Sequence, residues 1–245
     1  MENQNRNDLK INGSGNTTGG MFNYVVVNGV GDINGDVDCI SFKTNGASSL
    51  NGNLKSKSVK VNGSSSVKGN IDSEEIKING SADFKGMVEA KESNIHGELN
   101  LTGNISSVIM DLRGWMKVSG DCNAETFSCQ GGFSIVGMLS ADDINIKLHA
   151  PCRVKEIGGE KITVEMGRGF AFKKFIKTIF PSWDINRKLT ADVIEGDDIE
   201  LEATNAKVVR GNNIVIGDGC EIDLVEYKNS FNMNKNSTVK ENKKV

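Results

Sequence analysis

Proline is almost absent from this chain, with Pro151 and Pro181 the only two in 245 residues, so few rigid breaks interrupt its backbone. Histidine is as scarce: His96 and His149 leave little for histidine-dependent acid–base chemistry. Aromatic residues make up 6%, and no apolar run approaches the ~18 residues that a spanning helix needs. Positive charge is not in excess, since 29 Lys and Arg stand against 32 Asp and Glu for a net −3. That balance argues against a nucleic-acid binder held by phosphate neutralisation. The five cysteines are an odd number without close pairs at metal-ligand spacing, which suits neither a disulfide framework nor a zinc site. The opening MENQNRNDLK lacks the apolar stretch of a secretory signal, so a reducing cytoplasm is the expected compartment.

Chemical motifs are missing too. No Gly-Lys-Ser/Thr loop is present to cradle phosphate, so nucleotide control is not expected. Asp32 with Asp36, and Asp142 with Asp143, lack a GGxGxD run or an EF-hand loop around them and read as solvated charge. No catalytic residue, metal or cofactor is assigned.

What the chain has is glycine, 28 residues of it, at regular positions. From Gly29 to Gly137 the steps alternate between 6 and 11, a period of 17 over seven units from Asn28 to Ile146. A fixed period near 20 residues is the mark of a solenoid. The sixth position of the unit is Ile33, Leu50, Val67, Phe84, Leu101, Val118 and Ile135, and the tenth is Val37, Leu54, Ile71, Val88, Ile105, Cys122 and Leu139. Both columns are apolar throughout, the fifteenth and seventeenth are nearly so, and the twelfth is small. Apolar residues two apart in short runs closed by glycine mean strands and corners, whereas a helix would need a period of 3.6. Three short strands and three corners fit in 17 residues, so each unit is expected to be one turn of a three-sided parallel β-helix. Turns ~4.8 Å apart would put the seven units in a rod of roughly 30 Å. A lone turn cannot bury enough surface to order itself, and stacking must supply the rest.

Weaker turns flank the perfect block. Upstream, Asn12, Gly13 and Gly19 keep the spacing and Tyr24–Val27 ends a turn one residue short. Downstream, Cys152, Ile157, Ile162 and Val164 fit the sixth, tenth, fifteenth and seventeenth positions with one insertion, and Gly196 and Gly211 begin phrases that repeat at 15. The expected organisation is a polar N-terminal tail over 1–11, the β-helix over 12–164, an insertion over 165–188, further irregular turns over 189–227, and a polar disordered tail over 228–245. The insertion places Phe172, Phe175, Ile176, Ile179 and Phe180 at helical spacing beside Lys173, Lys174 and Lys177, with Trp183 after Pro181. Such a short basic amphipathic helix either covers part of the rod as a cap, lies in an anionic lipid interface, or docks in a partner's groove. His96 replaces asparagine at a corner and reads as a surface residue, while Cys39, Cys122, Cys129 and Cys152 fall in interior columns as small hydrophobes.

Phrases such as VKVNGSSSVKGNIDSEEIKINGSADFKG resemble those of the bactofilins, polymer-forming cytoskeletal proteins of bacteria, over about residues 12 to 164. The resemblance implies an all-β, right-handed, three-sided β-helix that assembles end to end without nucleotide into unpolarised filaments or sheets near the inner membrane. It also implies a scaffold for cell shape, envelope growth, or motility and appendage assembly, with further copies of itself or a related paralogue as partners. The polar MENQNRNDLK does not match the family's apolar or basic targeting tail, which shifts any membrane contact to residues 170 to 183. Independently of family, the open end of a β-helix is a strand edge that another copy can continue. The competing expectations are a β-helical acyltransferase-like enzyme with a groove between subunits, and a monomeric adaptor whose ends are blocked.

Overall fold

A computed structural model describes residues 6–167 and 187–245 of the protein. Among the described residues all regular structure is β, in a single 20-stranded sheet whose pairings are all parallel. The repeat dictates this coil by coil. In the turn starting at Asn45, Ala47–Asn51 forms one side, and Leu54–Val61 forms two more by bending at Lys57. Lys57 has no partner in the strand register, and the alternation of buried residues restarts there, with Leu54 and Ser56 inward before the bend and Val59 and Val61 after it. Each residue pairs with the one 17 positions on, as in Ile33 with Leu50, Leu50 with Val67 and Val67 with Phe84. Like therefore stacks on like, and the sixth- and tenth-position residues from Ile33 to Ile135 and from Val37 to Leu139 are all buried.

Glycine at the corners is required by close approach. A methyl group built on Gly46 would land on the carbonyl oxygen of Gly29, and the same collision recurs at Gly63, Gly80, Gly97, Gly114 and Gly131 with the corner below each. Successive corners touch backbone to backbone, and only a residue without Cβ permits it.

The interior has one column beyond those read from the sequence. The fourth position, Gly31, Ser48, Ser65, Ala82, Leu99, Met116 and Phe133, is buried throughout. Its mixed polarity hid it, because Ser48 and Ser65 are satisfied inside the rod: Thr44 Oγ1 and Ser48 Oγ share a hydrogen bond of 2.7 Å, and Ser48 and Ser65 one of 2.9 Å.

The structure departs from the expected boundaries in several places. Cys152 stacks over Phe133 in the fourth column, and Val154 takes the sixth position above Ile135. Extra residues at the corner before Cys152 delay the strand, and a bulge between Ile135 and Met138 restores the register by Ile157. Asn7–Ile11, placed by composition in the N-terminal tail, is a strand paired with the stretch Phe22–Val27, its Leu9 over Val25 and Ile11 over Val27. At the other end the stretch expected to be a disordered tail continues the strand Glu221–Met233 and adds the strand Thr238–Lys244, paired with Glu221–Tyr227. A strand edge orders its neighbour through main-chain bonds, so a polar composition does not prevent pairing. The turns at Leu189–Leu201 and Thr204–Ile216 are regular, pairing without a bulge at a spacing of 15.

The segment expected to be an amphipathic helix, with Phe172, Lys173, Lys174, Phe175, Ile176, Lys177, Ile179, Phe180 and Trp183, lies outside the described residues. The turns on either side of it are nevertheless directly paired, Ile157 with Ile194, Ile162 with Ile199 and Val164 with Leu201. Its two feet are anchored across turns. Met166 donates its backbone N–H to Glu202 Oε2 at 2.8 Å, while Lys188 Nζ donates to Glu221 Oε1 at 2.8 Å and Asn205 Oδ1 at 3.2 Å.

Candidate assembly surface

Parallel stacking satisfies every ladder between turns and leaves the first and last described turns with open edges. At the N-terminal end, Asn7–Ile11 covers only the third side of the turn above it, and no strand lies beneath Ser14–Gly20 among the described residues. Leu9 and Ile11 end two interior columns, and Met21 and Tyr24 are 46% and 50% exposed close by. At the C-terminal end, Thr238–Lys244 covers the first two sides, and no described strand lies beyond Ser230–Met233 on the third. There the fifteenth column ends at a half-buried Phe231 and the seventeenth at Met233, which is 47% exposed. Among the described residues, both ends thus offer unpaired backbone beside apolar side chains on the same side of the rod.

The end strands are otherwise charged. Asp8 and Lys10 pair at 3.7 Å at one end, and Lys240 contacts Asp223 at 2.7 Å at the other. Hydrogen bonding to Asp223 pushes the Lys240 ammonium above its ordinary pKa. Lys207 is pushed up in the same way by Asp192, and Arg210 by Glu226, whose own carboxyl is held down by the guanidinium. The Lys188 ammonium holds the Glu221 carboxyl below the usual carboxylate range. Charge on edge strands restricts pairing to partners that match it.

Elsewhere the surface carries ladders with a period of one turn. Asn28, Asn45, Asn62 and Asn79 each donate Nδ2 to the Oδ1 of the corner asparagine below, ending at Asn12, at 2.7–2.9 Å. Asp36 Oδ1 accepts the Asn53 backbone N–H at 2.7 Å, so it serves as a rung. On the third side Lys43, Lys60 and Lys77 are register neighbours, a stack of like charge. An open groove of about 470 Å³ runs along the corner between the first and second sides, floored by Val37, Leu54 and Ile71, with Met21 and Met87 among its lining residues.

The groups that chemistry would need are placed elsewhere. His96 and His149 are both exposed, and neither lines that groove. All five cysteines are buried and free. Burial raises the Cys39 and Cys220 thiols and pushes Cys122 up to about 12, and a hydrogen bond with Cys129 together with burial raises Cys152. Thiols so raised stay protonated and are poor nucleophiles. Among the described residues no cluster of three or more His, Cys, Asp or Glu could hold a metal ion.

The family model for bactofilins, described as polymer-forming cytoskeletal, matches twice, over residues 2–89 and 49–140. Overlapping matches are what a periodic chain produces. Two curated Bacillus subtilis (strain 168) proteins are similar. The protein named YhbF is 39% identical over 110 residues, covering 44% of this chain and 42% of YhbF. The protein named YhbE is 37% identical over 110 residues, covering 44% of each. The match thus spans less than half the length of either relative, and both are described only as uncharacterized. No solved structure matches the chain.

Proposed function

Because this chain belongs to the bactofilin family of polymer-forming cytoskeletal proteins, we propose that its rods join end to end, without nucleotide, into filaments that act as a scaffold. The observation that carries this reading is the pair of third-side edges that no described residue pairs, with Leu9 and Ile11 at one end and Phe231 and Met233 at the other. A second copy can extend each ladder and cover those side chains, the same contact that joins consecutive turns within the rod. The scaffold works in the bacterial cytoplasm and organises proteins of cell shape, the envelope, or motility and appendage assembly. A related paralogue is a second candidate subunit, since the ladder bonds that join turns are made by backbone.

Contact with an anionic membrane is part of the same proposal. It is supported by the basic, Phe-rich composition of residues 170 to 183 and by the Lys43, Lys60 and Lys77 stack.

The test is negative-stain electron microscopy of purified protein without nucleotide, beside the variants Ile11→Lys and Met233→Lys. Wild type is expected to form filaments, and each variant to remain a folded short rod with a β-rich circular dichroism spectrum. Wild-type protein that stays monomeric at high concentration refutes polymerisation, and filaments unaffected by either variant move the contact away from these edges. Deleting residues 168–186, which leaves Met166, Lys188 and the core residue Leu189 in place, and sedimenting with anionic vesicles separates lipid contact from assembly. Filaments that persist but no longer bind vesicles assign the segment to lipid, and undiminished vesicle binding refutes that assignment.

A further inference from the structure

Seven Asn-Gly pairs occur in the chain, beginning at Asn12, Asn28, Asn34, Asn45, Asn51, Asn62 and Asn79. In a flexible chain this pair is the one most prone to spontaneous deamidation, because glycine's bare backbone nitrogen reaches the preceding side chain easily. That nitrogen attacks Cγ, forming a C–N bond as the bond to the departing ammonia breaks. Water then opens the cyclic imide, leaving aspartate or an isoaspartate whose main chain runs through the β-carbon.

The corner ladder opposes each step of this chemistry at four of its five asparagines. The Nδ2 groups that would leave are donated to the rung below at 2.8, 2.7, 2.8 and 2.9 Å for Asn28, Asn45, Asn62 and Asn79. The attacking nitrogens are held as well. Asn45 and Gly46 both donate backbone N–H to the Val27 carbonyl, at 2.8 and 3.2 Å. The pairs Asn28–Gly29, Asn62–Gly63 and Asn79–Gly80 do the same to Ile11, Thr44 and Val61. Cyclisation at these corners requires the side chain to leave its rung and the glycine N–H to leave its carbonyl together.

Asn12, the bottom rung, differs. Its Oδ1 accepts from Asn28, but among the described residues its Nδ2 donates to no group and the Gly13 N–H has no backbone partner. No atom of the described residues lies within 4 Å of where a Gly13 methyl would stand, so the corner has room to rearrange. We infer that the asparagine ladder is a site of graded deamidation, in which Asn12 reacts in the folded rod while Asn28, Asn45, Asn62 and Asn79 are held unreactive until their corners open.

The products differ in the same order. An aspartate at 12 still accepts the Asn28 amide. At 45 it keeps the bond from Asn62 but has no donor for Asn28 Oδ1, so two acceptors face each other, and an isoaspartate also lengthens a corner that stacks on backbone.

Peptide mapping by mass spectrometry over a time course in warm, mildly alkaline buffer tests this on the full chain, at a concentration where light scattering detects no assembly. Parallel samples are held in urea. Asn12 is expected to convert at a rate close to its rate in urea, with the other four slower than in urea by about tenfold or more, since attack waits on opening of the corner. Asn28, Asn45, Asn62 and Asn79 converting in the folded protein as fast as in urea, or Asn45 outpacing Asn12, overturns the inference. N12D is expected to unfold at the wild-type urea midpoint and N45D at a lower one. Equal midpoints for N45D and wild type overturn the ranking of products, and the wild-type rates decide the inference on their own if N45D does not fold.

Discussion

Replacing Gly63 with alanine tests the claim that corner glycines exist for close approach. The added methyl would overlap the Gly46 carbonyl oxygen, which also accepts the Ser64 N–H at 2.8 Å. Relieving the overlap means lifting one corner off the next and losing that bond, a cost of about 1–3 kcal/mol for a backbone acceptor left unmet. Displacement of the Gly63 N–H from the Thr44 carbonyl, now at 3.3 Å, adds about 0.5–1 kcal/mol. Alanine restores about 0.4–1 kcal/mol by restricting the unfolded chain. The net loss is about 1–3 kcal/mol, a fall of about 3–9 °C in melting temperature for a chain of this size. Gly13→Ala is the matched control, because no described residue has an atom within 4 Å of its methyl. It keeps the entropic gain and should be neutral or slightly stabilising. Thermal and urea unfolding followed by circular dichroism read both. A Gly63→Ala protein as stable as wild type, or a Gly13→Ala protein equally weakened, would show that stacking distance does not explain these glycines.

Leu50→Lys places an ammonium between Ile33 and Val67 in a column closed to water, and unfolding of the rod is expected because no counter-charge lies there. A soluble, cooperatively melting variant would contradict the assignment of that column. The C-terminal turns should also answer to pH. Glu221 and Glu226 have depressed carboxyl pKa values in the folded chain, so their contribution is present above the ordinary carboxylate pKa and is lost as pH falls through the lowered values. Lys207 and Lys240 are raised, so theirs is present below the ordinary lysine pKa and is lost as pH rises through the raised values. All four lie at the surface, so salt should weaken both effects. The protection of the Thr204–Ile216 amides, taken as the exchange rate relative to that of the unfolded chain at the same pH, is expected to fall at both extremes and to be greatest near neutrality at low salt. Protection independent of pH would remove these pairs from the account.

The period of 17 was legible because stacking repeats its demands at every turn. A column that must be dry shows as Ile33, Leu50 and Val67, and a corner that must lack Cβ shows as Gly46, Gly63 and Gly80. The fourth column was illegible by the same rule, since serine there meets a hydroxyl from a neighbouring strand or turn and so need not be apolar. The end strands escaped composition because pairing at an edge is made by backbone, and Asn7–Ile11 and Thr238–Lys244 have edges waiting for them. Cys152 stands two positions from its place in the sequence period because periodicity does not say where a turn absorbs an insertion. The bulge after Ile135 is a local answer to a mismatch between neighbouring strands.

That the chain coils, with what period, and that the sixth and tenth columns face inward are all written in the sequence, because each is a local constraint repeated once per turn. The assembly surface was decided only in three dimensions. Phe231 and Met233 look like parts of a polar stretch, and Leu9 and Ile11 like the end of a tail, until the stack puts each pair at the end of a buried column on one side of the rod. An end is a property of where pairing stops, and pairing is made between strands some 15 to 17 residues apart. No window of sequence carries it.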